Sequence, residues 1–364
     1  MPHTARTFTK APDTAAATAL VDEMSSGECH PLLSGGLPLV LYGKGKLGKL
    51  AQQYLHTIGR QPAQSIEYDE PADSNSCILV CIVTSPYVPI EQKLLKHGFK
   101  AVMPFYDFTE GFRQQHPLSN GWFAKCLSGD DKKSINKVMA RWSDDISRAH
   151  HLQFIAWRRL RQEWSFDNAP LPPEQFFIPE ITSVLHDHEV FVDGGAHHGQ
   201  VTLAFIDKTK GKFRKIIAIE PDLINRIVFR ELVPQHRSIE VKSFALANEW
   251  ALARFCSGFG LASQLSDIGH AYVTTQPLDF LKEQPTFIKL HLEGGELPAL
   301  KGAMHTLVTE RPIIAATICH NDDGLWRTPQ WLMRLLEDYR FLFRLHYWCG
   351  SGGIIYAIPN ERAA

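Results

Sequence analysis

A run of small and polar residues, Asp193-Gly194-Gly195-Ala196-His197-His198-Gly199, follows the apolar stretch Val190-Phe191-Val192 and leads into Val201-Thr202-Leu203-Ala204-Phe205. An apolar segment that ends in an acid and bends through glycines reads as a buried parallel strand, a turn and the start of a helix. Glycines at 195 and 199 let backbone approach a ligand where a Cβ would collide, so a side chain at 199 is expected to fill the crevice. The helix that follows aims its free N–H groups and positive dipole end at the same place. A second apolar strand, Lys215–Ile219, ends in Glu220, 21 residues beyond Gly199. An acid at about that spacing bonds the hydroxyls of a nucleoside ribose in doubly wound folds. This constellation is chemistry for holding a nucleotide, and NAD enzymes share its parts.

Proton chemistry is offered by two further strands. Phe287–Leu290 delivers His291 and Glu293 at its carboxyl end, and Pro312–Cys319 ends in His320. Ligands of open α/β sheets bind at that end of the strands. A neutral histidine there can act as a general base near pH 7. A single histidine after a strand is more often structural, so His320 alone carries less weight than the pair.

These residues resemble the S-adenosylmethionine (SAM) site of class I methyltransferases, and in detail that of the FkbM family. The family's Asp-x-Gly-Ala-x-x-Gly turn is matched by Asp193, Gly195, Ala196 and Gly199. Its Ile-Lys-hydrophobic-Asp-hydrophobic-Glu-Gly-x-Glu strand is matched by Lys289, Glu293, Gly294 and Glu296, with His291 where an acid is usual. Gly260–Leu265 resembles its Gly-x-Ala-Ser segment, and Val273–Leu281 more loosely its Thr-Leu-Asp stretch. The resemblance implies SAM as cofactor. Asp193 would orient its methionyl end, Glu220 its ribose, and Ala245 and Leu246 its adenine. It implies O-methylation of a sugar, glycan or other polyhydroxylated small molecule, with His291 or His320 as candidate base and Glu293 beside them; no metal ligands are assigned, although a histidine in place of the family's acid keeps metal binding open.

The N-terminal part holds a second glycine pattern. Strand-like Leu37–Tyr42 is followed by Gly43-Lys44-Gly45-Lys46-Leu47-Gly48, a Gly-x-Gly-x-x-Gly between strand and helix, with Asp69 as its candidate ribose acid. Gly43, Gly45, Gly48 and Asp69 therefore form a possible second nucleotide site, and scaffolding is the alternative. The fold expected is α/β, with two Rossmann-like doubly wound domains joined by a helical linker. Residues 1–36 are read as a flexible lead-in, 37–127 as the first module, 128–180 as the linker and 181–364 as the methyltransferase domain. That last domain is expected to be a seven-stranded sheet closed by an antiparallel hairpin, Tyr339–Tyr347 with Gly353–Ile358. The linker stripe Ile135, Val138, Met139, Trp142 and Ile146 has helical spacing.

Bulk properties narrow the class. The 364 residues suffice for two cores, and 44% apolar with 21% charged residues is typical of a globular chain. A net charge of −1 gives no reason to expect nucleic acid or an anionic membrane as partner. Seven scattered cysteines lack metal spacing and fit a reducing, cytoplasmic setting. Two rival functions stand beside methyl transfer. One is an NAD- or nucleotide-sugar-dependent oxidoreductase or epimerase using the N-terminal loop. The other is a catalytically silent binding protein, which the departure at His291 would suit.

Overall fold

The computed structural model describes residues 3–26, 37–67, 70–118 and 121–362. Its largest sheet has seven strands, in the order Tyr339–Leu345, Gly353–Pro359, Ile313–Thr317, Phe287–Leu290, Val190–Gly194, Lys215–Ile219 and Ile239–Lys242. The last five are mutually parallel, and the first two form an antiparallel pair whose inner strand runs against Ile313–Thr317. Both faces are covered, which is why the central strands read as unbroken apolar runs. Val190, Val192, Ile288, Leu290, Ile314 and Ala316 point into one core, while Phe191, Phe287, Ile313 and Ala315 point into the other.

A separate four-stranded parallel sheet, in the order Gln64–Ile66, Leu39–Tyr42, Cys77–Val80 and Ala101–Pro104, lies in the N-terminal part. Leu39, Leu41 and Leu79 serve one of its faces, and Val40, Tyr42, Ile78 and Val80 the other. A small sheet of Ala245–Leu246, Ala271–Gln276, Ala251–Cys256 and Gln264–Leu265 flanks the carboxyl end of the large one.

One expectation is corrected here and another is refined. The stretch read as a flexible lead-in supplies the strand Thr4–Phe8, parallel to Gln162–Phe166, and the helix Thr14–Ser26. Its apolar side chains Ala17, Val21 and Met24 are buried in the main core. The linker is two helices, Gly129–Arg141 and Asp145–Leu160, because Trp142 turns extended and Asp144 caps a new start through Ser147 N. The first begins with a capping box between Ser128 and Asp131.

The second of these helices clamps the N-terminal module to the C-terminal half. Arg158 donates to the carbonyls of Gly121, Cys319 and Gly350, and its guanidinium lies 4.4 Å from the centre of the Trp122 ring. Arg161 pairs with buried Asp107 at 2.9 Å and donates to Trp122 O. From the other side Trp348 N donates to Val83 O at 2.7 Å. No helix among the described residues is long and apolar enough to cross a membrane.

Candidate active site

Asp193 and Lys289 are direct partners in the register of neighbouring parallel strands, on one face, and both are fully buried. Lys289 Nζ lies 2.8 Å from Asp193 Oδ1 and also donates to Gly194 O and Gly195 O. Thr202 Oγ1 donates to the other carboxylate oxygen at 2.7 Å. Asp193 is therefore consumed inside the protein, tying the turn to the next strand and helix, and it does not line the crevice. In the crevice as it stands, the side chain expected at the cofactor's methionyl end is not part of the wall.

The turn glycines divide their roles differently from the expectation. Gly195 has φ +72°, and a Cβ there would lie 2.0 Å from His291 O, so the turn presses against the carboxyl end of the neighbouring strand beside the crevice. Gly199 has φ +86°, but its missing Cβ would meet Val233 Cγ2 at 2.3 Å and the Phe229 ring at 2.9 Å, which lie away from the crevice. Ala196 packs with Ala218, Phe229 and Val233 in the same minor core. Neither Ala196 nor Gly199 lines the crevice. Gly199→Val should accordingly lower stability by at least about 2 kcal/mol through strain and overpacking. Denaturant unfolding measures it, and the folded fraction should keep its ligand affinity.

The crevice encloses about 70 Å³ between Gly195, Glu220, Ala245, Leu246, the loop Gly260–Leu265 and His291. Glu220 accepts from His197 N at 2.8 Å and from Asp222 N at 2.9 Å, so its carboxylate is held by the turn itself. Burial pushes its pKa above the usual value against the pull of these donors. Asp222 caps the next helix through Ile224 N and anchors the outer loop through Gly258 N, Ser257 and Ser263. Sequence reasoning overlooked Asp222, although an acid at a helix start followed by serines downstream was a readable capping signal.

His291, Glu293 and His320 converge at the inner end of the crevice. His291 Nε2 lies 3.1 Å from His320 Nε2 and 3.1 Å from Glu293 Oε1. Glu293 Oε2 approaches His320 Nδ1 to 2.9 Å, though not along a hydrogen-bonding direction. Glu293 adopts φ +53°, a left-handed conformation that a non-glycine residue keeps only where its surroundings hold it. The holder is Glu296, which accepts from Leu292 N, Gly294 N and Thr317 Oγ1 at 2.7, 3.0 and 2.7 Å. Asn321 adds a bond to Gly294 O.

The charges of the cluster are interlocked. Burial alone would raise the Glu293 pKa, but the two histidines beside it hold it far below the usual carboxylate range. Burial likewise opposes a charge on His320, yet Cys319 and Glu293 pull it well above the ordinary histidine value. An ionised Glu293 faces a cationic His320, and the His291 ring stands against both. The three groups each offer a ligand atom, all within 4.8 Å of one another, so a divalent cation could also be held there.

The pair has a stability signature. The Glu293 contribution is complete above its ordinary pKa of 4.5 and is lost as pH falls through the depressed folded value. That of His320 is complete below 6.5 and is lost as pH rises through the raised folded value. The melting-temperature advantage of the native chain over His320→Asn should therefore be full between pH 4.5 and 6.5 and shrink on the alkaline side. An advantage that grew with alkaline pH would reverse the assigned direction.

A second cavity, about 670 Å³, adjoins the first. Leu261, His291 and Glu293 line both. Tyr347 faces it, whereas His346 is buried against Pro172 O and Tyr356 and Trp348 packs on the N-terminal module. Gly43, Gly45 and Lys46 form its far wall; Asp69 lies outside the described residues.

The strand order, with its antiparallel closing pair and a crevice over the first two parallel strands, defines an α/β domain of methyltransferase type. Residues 193–343 match the family model of the methyltransferase FkbM domain. Over 96% of this chain and 94% of the other, the fold is similar to the crystal structure of methyltransferase FkbM from Methylobacillus flagellatus KT, with TM-score 0.59 and 18% identity. A precorrin-6y C5,15-methyltransferase from Geobacter metallireducens GS-15 is more distant, at TM-score 0.32 and 16% identity over 52% of this chain and 93% of that one. An SAH-bound Podospora anserina methyltransferase, PaMTH1, shows TM-score 0.29 and 12% identity over 71% and 98%. No curated protein matches the chain.

Proposed function

We propose that the protein is a SAM-dependent O-methyltransferase acting on a hydroxyl of a sugar or other polyhydroxylated molecule. The observation that carries the reading is the junction of two cavities at His291 and Glu293, one lined by Glu220, Ala245 and Leu246, the other large enough for an acceptor. The first suits SAM by its chemistry: a carboxylate for ribose hydroxyls, apolar Ala245 and Leu246 for a base, and a glycine turn beside them. At about 70 Å³ it is narrow for so large a molecule, so SAM binding requires it to widen.

Bound SAM would supply an electrophilic methyl group on a sulfonium. With it bound, an acceptor hydroxyl in the adjoining cavity would take the methyl group, the carbon–sulfur electron pair staying on sulfur, and would give up its proton to the His291 imidazole. The products are a methyl ether and S-adenosylhomocysteine. Glu293 and cationic His320 fix the orientation of His291, and Glu296 holds the loop that carries Glu293. In-line positioning supplies much of the acceleration. Incubating the chain with methyl-labelled SAM and a panel of polyols tests the reading: label in a methyl ether supports it, and label only in amines or in no product overturns it.

A further inference from the structure

The N-terminal glycine loop and the catalytic cluster share one cavity, and we propose that this cavity binds a nucleoside-diphosphate-linked acceptor, its pyrophosphate on the loop and its methylated hydroxyl at His291. The inference rests on the methyltransferase reading and names its substrate class.

The four-stranded sheet has its topological switch between Leu39–Tyr42 and Cys77–Val80, since the chain goes first to one side of Leu39–Tyr42 and then to the other. Ligands of open parallel sheets bind outside the carboxyl ends at such a point. The 670 Å³ cavity lies there, lined by Gly43, Lys46 and the segment after Cys77–Val80. The three glycines meet the three demands of a pyrophosphate loop. Gly43 takes the turn at φ +111°; a Cβ on Gly48 would strike Gly43 O at 1.9 Å, so only glycine lets helix and strand close; Gly45 faces open space on its Cβ side, where a phosphate can reach the backbone. The helix Lys46–Thr57 starts at Gly45 with no side-chain cap. Lys46 adds an exposed cation on the cavity wall.

A ribose acid is present as well. Glu67 follows the strand Gln64–Ile66, 19 residues beyond Gly48, and its carboxylate accepts from Lys44 N at 3.1 Å. It lines the cavity, and the spacing matches that of a ribose-binding acid. At the opposite end the same cavity is lined by His291, Glu293 and His320. A dinucleotide serving only the N-terminal module would have no need of that continuity. A diphosphate ester with its sugar or polyol directed away from the base fills both ends, and the volume suits a ligand of that size.

Calorimetric titration of the full chain with UDP, ADP, GDP, CDP and inorganic pyrophosphate tests the binding half. At least one nucleoside diphosphate should bind one to one, and more tightly than pyrophosphate. Gly45→Val, which the open space tolerates, should weaken it at least 10-fold and leave SAM affinity unchanged; Glu67→Gln should weaken it several-fold and serves if the first variant misfolds. No binding by any of the four, or affinity unchanged in both variants, overturns the proposal. The transfer half uses labelled SAM with the corresponding nucleoside-diphosphate sugars against the free sugars. Label in the nucleotide-linked form is expected, and label in the free sugars alone overturns the assignment. SAM binding without nucleotide binding would sink this inference only, whereas failure of SAM to bind would sink the function it rests on.

Discussion

His291→Asn should lower turnover roughly 100-fold or more, the usual scale for loss of a general base, with SAM affinity little changed. His291 is only part-buried and faces both cavities, so the substitution leaves the core intact. His291→Asp restores the acid usual in the resembling family and should retain partial activity. His320→Asn should be less severe, because a histidine held cationic by Glu293 orients the base without taking the proton. Single-turnover rates with saturating SAM separate the two. If His320→Asn is crippling and His291→Asn harmless, the proton goes to the other strand.

Lys289→Ala should be the most damaging single change for stability. It leaves Asp193 charged, fully buried and bonded only to Thr202, and breaking a buried pair by removing one partner costs about 3–5 kcal/mol. The double variant Lys289→Met with Asp193→Asn should recover much of the loss, since no uncompensated charge remains. Denaturant midpoints of the three proteins check this. Equal stabilities for native and Lys289→Ala would mean that the pair does not hold the turn.

The central strands were legible because each is apolar on both faces, as Val190-Phe191-Val192 and Ile313-Ile314-Ala315 illustrate. The crevice was legible in its residue types: Gly195, Glu220, Ala245 and Leu246 line one cavity. What a linear reading missed are partnerships between distant positions. Asp193 looked like a ligand contact until Lys289, 96 residues away, was seen to occupy it. Gly199 looked like a ligand glycine because its spacing does not say that Phe229 and Val233 stand behind it. Glu67 was passed over in favour of Asp69, since two acids separated by one residue fit the same spacing. The break at Trp142 escaped because the apolar stripe continues in register into the second helix, and only the Ser143-Asp144 cap signals the restart.

Binding of SAM in the crevice between Gly195 and Glu220 is the claim on which the rest depends, and calorimetric titration of the purified chain with SAM and S-adenosylhomocysteine measures it directly. One site per chain is expected for each, with Glu220→Gln weakening both about 10-fold, because a charged acceptor for ribose hydroxyls is replaced by a neutral one of the same shape. Absence of binding by either compound, or an affinity indifferent to Glu220→Gln, would contradict the account.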